Sequence, residues 1–248
     1  MDPGLITAVV LTRDEERNLP RALTSLPRGI RILVLDARSR DHTVQFARSA
    51  GATVLERDWT DFVDARRFAI EQVETPWVLM IDADEALDDV LRDAIGGAPE
   101  SVDAYVVRRT TYFCGHPMRI WTNEPLVLLF RRDRVALAAR PAAAGEAPIH
   151  EAWTCGGPTG ELPGTLLHYS YPDAAAYRAK YDRYTTLEAQ QMSASPAALA
   201  VAGGTGLLRF AWLLLAKAAL LDGPRGWYVA YRSAFYPAVA MRKALWKR

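Results

Sequence analysis

Trp77-Val78-Leu79-Met80-Ile81-Asp82-Ala83-Asp84-Glu85 is the stretch around which the rest of the chain is organised. It opens with a short apolar run, bounded by Pro76 on one side and by acidic residues on the other. A run this short, with β-branched and aromatic residues and no polar alternation, is the pattern of a strand buried on both faces of a parallel sheet. Asp82 and Asp84 follow where such a strand leaves the sheet, and open α/β sheets take their ligands at the carboxyl edge. Two carboxylates separated by one small residue make a site of hard oxygens and high negative charge. Mg²⁺ or Mn²⁺ shared with a diphosphate suits such a site, because these ions keep positions for water and phosphate oxygens. An isolated pair of this kind is more often a turn or a helix cap. The sequence upstream reverses that weighting.

Residues 5–11 form a second run, apolar but for Thr7, followed by Thr12-Arg13-Asp14-Glu15-Glu16. Residues 17–26 have helical spacing, with Leu19, Leu23 and Leu26 on one face. A strand is expected at 30–35, ending at Asp36, and Asp41-His42-Thr43 opens a helix that Gly51 stops. A short strand at 52–55 and a helix at 61–73 complete a β-α-β-α-β-α-β order, the sequence form of a doubly wound α/β sheet. Right-handed crossovers bring Thr12, Arg13, Asp36, Arg57, Asp58, Asp82 and Asp84 to one edge. No GxGxxG follows the first strand and no GxxxxGK[ST] occurs, so the dinucleotide fingerprint and the P-loop are both absent. A nucleotide bound here needs a metal to hold its phosphates.

Composition bounds the rest. With 248 residues, 50% hydrophobic and 24% charged, the chain is globular and long enough for one large or two small domains. The net charge of +1 conceals a basic tail: residues 206–248 carry eight Lys and Arg against a single acid, Asp222. Cys114 and Cys155 have neither CxxC nor zinc-finger spacing. Met1-Asp2-Pro3-Gly4 lacks the basic and apolar regions of a signal peptide, so a cytoplasmic location is expected. A nucleic-acid partner is not expected.

Val9-Val10-Leu11-Thr12-Arg13-Asp14-Glu15-Glu16-Arg17-Asn18-Leu19, then Val34-Leu35-Asp36-Ala37-Arg38-Ser39-Arg40-Asp41-His42-Thr43, then Asp82-Ala83-Asp84-Glu85 resemble the family 2 glycosyltransferases. Within that family the chain is similar to the bacterial lipopolysaccharide-core β-glucosyltransferase subgroup. The likeness continues through Arg108-Arg109-Thr110-Thr111-Tyr112-Phe113-Cys114-Gly115, Leu129-Phe130-Arg131-Arg132, Ile149-His150-Glu151, His168-Tyr169-Ser170-Tyr171 and Leu220-Leu221-Asp222-Gly223-Pro224-Arg225-Gly226. It covers nearly the whole chain, in order.

The resemblance implies a GT-A fold that binds a nucleotide-sugar, by default a UDP-hexose, and inverts the anomeric centre with the help of Mn²⁺ or Mg²⁺. It implies that Thr12, Arg13 and Glu15 line the nucleotide pocket and that Asp36 accepts a hydrogen bond from the base. Asp84 is the expected direct metal ligand, and Asp82 contacts the ribose or reaches the metal through water. Three departures bear on the donor. Asp14 stands where the family usually has Asn, Arg38 and Arg40 stand in a loop that usually contains Gly, and Leu128 stands where relatives often carry Arg.

Strands are expected at 104–108 and 126–130. The aromatic segment between them (Tyr112, Phe113, Gly115, His116, Trp121) is either an acceptor surface or a satellite core. After an Ala-rich stretch at 142–148 comes His150-Glu151. Inversion needs a carboxylate to take the acceptor hydroxyl's proton. In the resembling subgroup this pair sits on the acceptor side, so Glu151 is the candidate base, and His150 orients it or approaches the metal. The alternative is a surface Glu beside a packed His. His168, ending a short apolar strand at 165–167, is read as structural.

A helix is expected over 173–192, a linker or loose turn over 193–206, an apolar segment over 207–221 and an aromatic, basic helix over 227–246. Residues 207–221 are too few to span a bilayer, which takes about 20 apolar residues. A basic, aromatic helix pair suits the anionic cytoplasmic leaflet; packing on the catalytic domain or on a second subunit is the other reading. Two domains are thus expected, 1–172 for nucleotide-sugar binding and catalysis, with an acceptor side from about 104, and 173–248 for the helices. The expected activity is metal-dependent hexosyl transfer to a lipid-linked or lipopolysaccharide-core acceptor. A nucleotidyltransferase and an inactive membrane-bound scaffold are the rivals.

Overall fold

The structure is a computed structural model that describes residues 1–58, 62–139 and 151–246, with backbone alone at 137–139 and 151–153. In chain order the elements are β1 (Ile6–Thr12), α1 (Leu19–Thr24), β2 (Arg31–Asp36), α2 (Thr43–Ser49), β3 (Thr53–Glu56), α3 (Phe62–Glu71) and β4 (Trp77–Asp82). There follow β5 (Glu85–Leu87), α4 (Asp89–Gly97), β6 (Ala104–Phe113), β7 (His116–Pro117), β8 (Glu124–Arg131), β9 (Val135–Ala139), β10 (Glu151–Cys155) and β11 (Thr159–Tyr171). Three helices close the chain: α5 (Ala174–Gln191), α6 (Pro196–Leu215) and α7 (Gly223–Leu245).

The main sheet runs β3-β2-β1-β4-β8-β6-β11-β5. Its first four strands are parallel, as the βαβ order requires. From β4 onward the pairing includes antiparallel neighbours, β4 with β8, β8 with β6 and β11 with β5, so the sheet is mixed. β9 and β10 form a separate antiparallel pair.

All of β1 is buried. Ile6, Ala8 and Val10 join Trp77, Leu79 and Ile81 on one face, under Leu19 and Leu23 of α1, Ala47 of α2 and Leu91 and Ile95 of α4. Val9, Leu11, Val78 and Met80 face the other way, onto Ala65 and Ala69 of α3. A strand with helices over both faces has no solvent side, which is why the 77–81 run contains no polar residue. Each of its larger side chains contributes about 1.5–3 kcal/mol by burial.

Contacts divide the chain into two units. One comprises Met1–Thr110, Asn123–Ala139 and Glu151–Ser170; the other gathers Thr111–Thr122 and the described residues from Tyr171 onward. The aromatic segment expected in the first domain therefore groups with the helices. Phe113, Met118 and Ile120 are buried among Tyr177, Tyr181, Val229 and Ala230, so these residues form a satellite core.

Two expectations for the later chain are corrected. Residues 193–206 are not a linker: Ser195 accepts from the Ala198 N–H as N-cap, Pro196 takes the first turn, and α6 runs on through the glycines. One of these, Gly206, packs so closely that a Cβ there would lie 2.9 Å from the Phe235 ring. With 20 residues, α6 is long and apolar enough to cross a membrane by length and composition, whereas 207–221 alone is too short. His168 does not end a short strand; it lies inside β11, which has 13 residues.

Candidate active site

The parallel register sets the site's floor. Thr12 pairs with Asp36 and Leu11 with Asp82, so the ends of β2, β1 and β4 lie side by side. Asp36 is fully buried. Its carboxylate accepts from the Thr12 hydroxyl at 2.8 Å, the Ser39 N–H at 2.7 Å and the Ser39 hydroxyl at 2.5 Å. The loops after β1 and β2 are laced together. The Asp14 N–H donates to Ser39 Oγ, the Glu15 N–H to Thr43 Oγ1 and the Glu16 N–H to Asp41, while the Arg40 N–H donates back to Asp14. Partial burial raises the Asp41 carboxyl, but the Thr43 hydroxyl and the backbone N–H groups around it outweigh this and hold it below its ordinary value. Of the nucleotide-side candidates, Thr12 is buried, Glu15 is half-buried and accepts from Asn18 at 2.8 Å, and Arg13 is exposed.

Around Asp82, Asp84 and Glu85 three positive or ionisable groups converge. Arg66 of α3 donates to Asp82 Oδ1 at 2.7 Å. His168 Nε2 lies 3.3 Å from Asp84 Oδ2, placed by β11–β5 pairing in which His168 faces Glu85. Arg109 of β6 bridges Glu85 at 3.3 Å and Glu124 at 3.1 Å. The Glu85 carboxylate in turn accepts the Asp82 N–H at 3.0 Å, which closes the turn after β4. Burial pushes the Glu85 carboxyl up to about 7, with Asp82 and Asp84 adding to the rise and His168 and Arg109 opposing it. For His168, burial works against the charged form, yet the hydrogen bond and charge of Asp84 and the charge of Glu85 prevail and raise its pKa.

Among the described residues no three His, Cys, Asp or Glu side chains converge closely enough to hold a metal ion by themselves. The donor chemistry nevertheless fits a hard divalent cation. Asp82 and Asp84 offer carboxylate oxygens, and such an ion fills its other positions with water and phosphate oxygens.

Thr12, Asp36, Asp82 and Asp84 thus share one sheet edge. Glu151 opens β10 opposite Ala139 in the β9–β10 pair, and His150 lies outside the described residues. Leu128 is fully buried in the core. Sequence reasoning missed Arg66, Glu85, Arg109 and His168. Glu85 directly follows the aspartate pair, and Arg109 and His168 fall in segments that carried the resemblance; Arg66 sits on a helix with no local signal.

A family model, glycosyl transferase family 2, matches residues 7–145, more than half of the chain. The chain belongs to that family. It is similar to the lipopolysaccharide core biosynthesis glycosyltransferase LpsC of Rhizobium meliloti, with 28% identity over 75% of this chain and 71% of that protein. It is also similar to an uncharacterized glycosyltransferase of Rickettsia typhi, with 36% identity over 36% of this chain and 31% of that one. Among solved structures, the mannosyltransferase PcManGT of Pyrobaculum calidifontis, in complex with GDP-Man and Mn²⁺, aligns at a TM-score of 0.52 and 18% identity over 100% of this chain and 89% of that one. At that identity the likeness speaks for the fold alone, and the fold of this glycosyltransferase is GT-A.

Proposed function

We propose that this glycosyltransferase moves a hexose from a nucleotide-sugar, by default UDP-linked, to a lipid-linked or lipopolysaccharide-core acceptor at the cytoplasmic face of the membrane, with inversion and with a divalent cation. The observation that carries the reading is the edge shared by Thr12, Asp36, Asp82 and Asp84, in which Asp84 is met by His168. The acceptor class rests on the similarity to a lipopolysaccharide core biosynthesis glycosyltransferase.

In this reading Asp36, fixed by Thr12 and Ser39, presents its carboxylate to the nucleotide base, while Arg13 and Glu15 border the pocket. Asp84 and Asp82 would hold the cation. Arg66 and His168 orient these two carboxylates before any ligand arrives. When bound, a divalent ion stabilises the charge that grows on a departing diphosphate. Glu151 takes the proton of the acceptor hydroxyl as that oxygen attacks the anomeric carbon. Its position at the start of β10 is compatible with a base delivered from outside the main sheet.

Titration with UDP, GDP, CDP and dTDP, each with and without Mn²⁺, tests this by thermal shift and calorimetry. A Mn²⁺-dependent shift for one diphosphate, lost in Asp84→Asn, is expected and names the donor class. A folded protein that responds to none of them would remove the catalytic assignments and favour an inactive scaffold.

A further inference from the structure

Among the described residues, the outward side of α6 has no partner in its own helical unit. Its inner side is accounted for: Leu213 and Gly206 are buried, and Phe210 meets Trp227 of α7 edge-on at 5.3 Å. On the other side Val201, Leu208, Trp212 and Leu215 recur every three to seven residues, the spacing of one helix face. They are 65%, 75%, 52% and 73% exposed. Only one charged residue, Arg209, occurs in the whole helix. The polar Thr205 is satisfied internally, its hydroxyl donating to the Val201 carbonyl at 3.0 Å. Exposed apolar residues continue in the turn toward α7, where Leu221 is 69% exposed, and in α7 itself, where Trp227 is 49% exposed.

A large bare apolar surface marks a docking site, and the charge beside it indicates what docks. Residues 206–248 carry a large basic excess, and their single acid, Asp222, is already engaged by the Arg119 N–H at 2.8 Å. Lys217 lies 5.7 Å from the Trp212 ring, a cation at the rim of the apolar row. A protein partner for such a face would need matching acids. An anionic lipid surface supplies negative headgroups above an apolar layer, which is the complement of leucines rimmed by Lys217.

We infer that the α6–α7 hairpin lies on an anionic bilayer surface, with Val201, Leu208, Trp212 and Leu215 entering the acyl boundary and the basic rim meeting headgroups. This rests on the membrane part of the proposed function and gives it a surface. The helix is seated along the interface, not across the bilayer: its other face is packed against α7, a helix that carries Arg225, Arg232, Arg242 and Lys243.

The test is flotation of the full chain with vesicles of phosphatidylcholine alone or with added phosphatidylglycerol. The wild type is expected to float with the anionic vesicles, less so in high salt. Leu208→Glu/Leu215→Glu is expected to bind at least about tenfold more weakly, while its melting transition and its response to nucleotide with Mn²⁺ are retained. Quenching of tryptophan fluorescence by brominated lipid in the wild type reads the same contact without any variant. Anionic binding that the double variant leaves intact would place membrane contact elsewhere and overturn this surface, while the membrane reading stands. A wild type that binds no vesicle overturns both. A lipid-free dimer that the variant splits would assign the face to a second copy, and protein released only by detergent would make α6 a spanning helix; either overturns the inference.

Discussion

At the scale of single residues, two departures from the family pattern acquire a physical setting. Asp14 and Arg38 both have positive φ, 54° and 55°. Asn and Asp tolerate that region, so Asp14 can replace Asn there without backbone penalty. Arg38 cannot plead the same, and its ion pair with Asp58 is largely exposed, which makes it worth little. Arg38→Gly should therefore raise stability by about 0.5–1 kcal/mol, the left-handed penalty less the cost of glycine's freedom, as chemical denaturation will show. Asp36 should behave in the opposite way. Asp36→Ala leaves the buried Thr12 hydroxyl and Ser39 N–H without their acceptor and should cost about 1–3 kcal/mol for each orphaned group; Asp36→Asn keeps an acceptor and should melt close to wild type. Glu85 sets a pH dependence. Its carboxyl titrates at about 7 in the fold against 4.5 ordinarily. Between those values the native state holds the proton that the unfolded chain has lost, so stability falls as pH rises through the window. The raised pKa of His168 works in the same direction, its contribution being lost as pH rises through the folded value. In metal-free protein, Glu85→Gln should flatten the decline of melting temperature across that range. Neither Glu85 nor His168 announced this in the sequence, because their meeting depends on strand pairing and not on local spacing.

At the scale of elements, β1 and β4 were legible because burial on both faces writes a nearly unbroken apolar run. β5 was not, since Glu85–Leu87 offers three residues and no period to read. The start of α6 was hidden for another reason: Ala, Gly and Ser resemble a loop in composition, while the cap at Ser195 and the packing against α7 make them helical. The glycines of α6 and α7 are not equivalent. Nothing lies within 4 Å of a Cβ added at Gly203, whereas one at Gly226 of α7 would sit 1.8 Å from the Ala219 carbonyl. Gly203→Ala should stabilise by about 1 kcal/mol through helix propensity. Gly226→Ala should cost about 1–3 kcal/mol or more by forcing the chain turn before α7 apart. Paired thermal melts of the two variants separate the effects.

At the scale of the whole molecule, the order of strand-end acids along the sequence foretold the edge at which Thr12, Asp36, Asp82 and Asp84 meet, because right-handed crossovers leave a parallel sheet few alternatives. What it left open was the antiparallel half, whose strands return residues to that edge from far along the chain. A nucleotide that binds this edge binds only the folded chain, and at about a hundred times its dissociation constant should add about 2.7 kcal/mol to stability, readable as a rise in melting temperature that chelation of the cation reverses. The placement of β11 has a consequence for biosynthesis. During translation β1 to β4 emerge first and can pair among themselves, yet the strand that brings His168 to Asp84 is made only when the first unit is nearly finished. Contacts so distant along the chain are slow to close. A ribosome paused before Thr159 would hold a chain with β1 to β4 already made and His168 still to be added, so the Asp84–His168 contact should form late as the nascent chain lengthens.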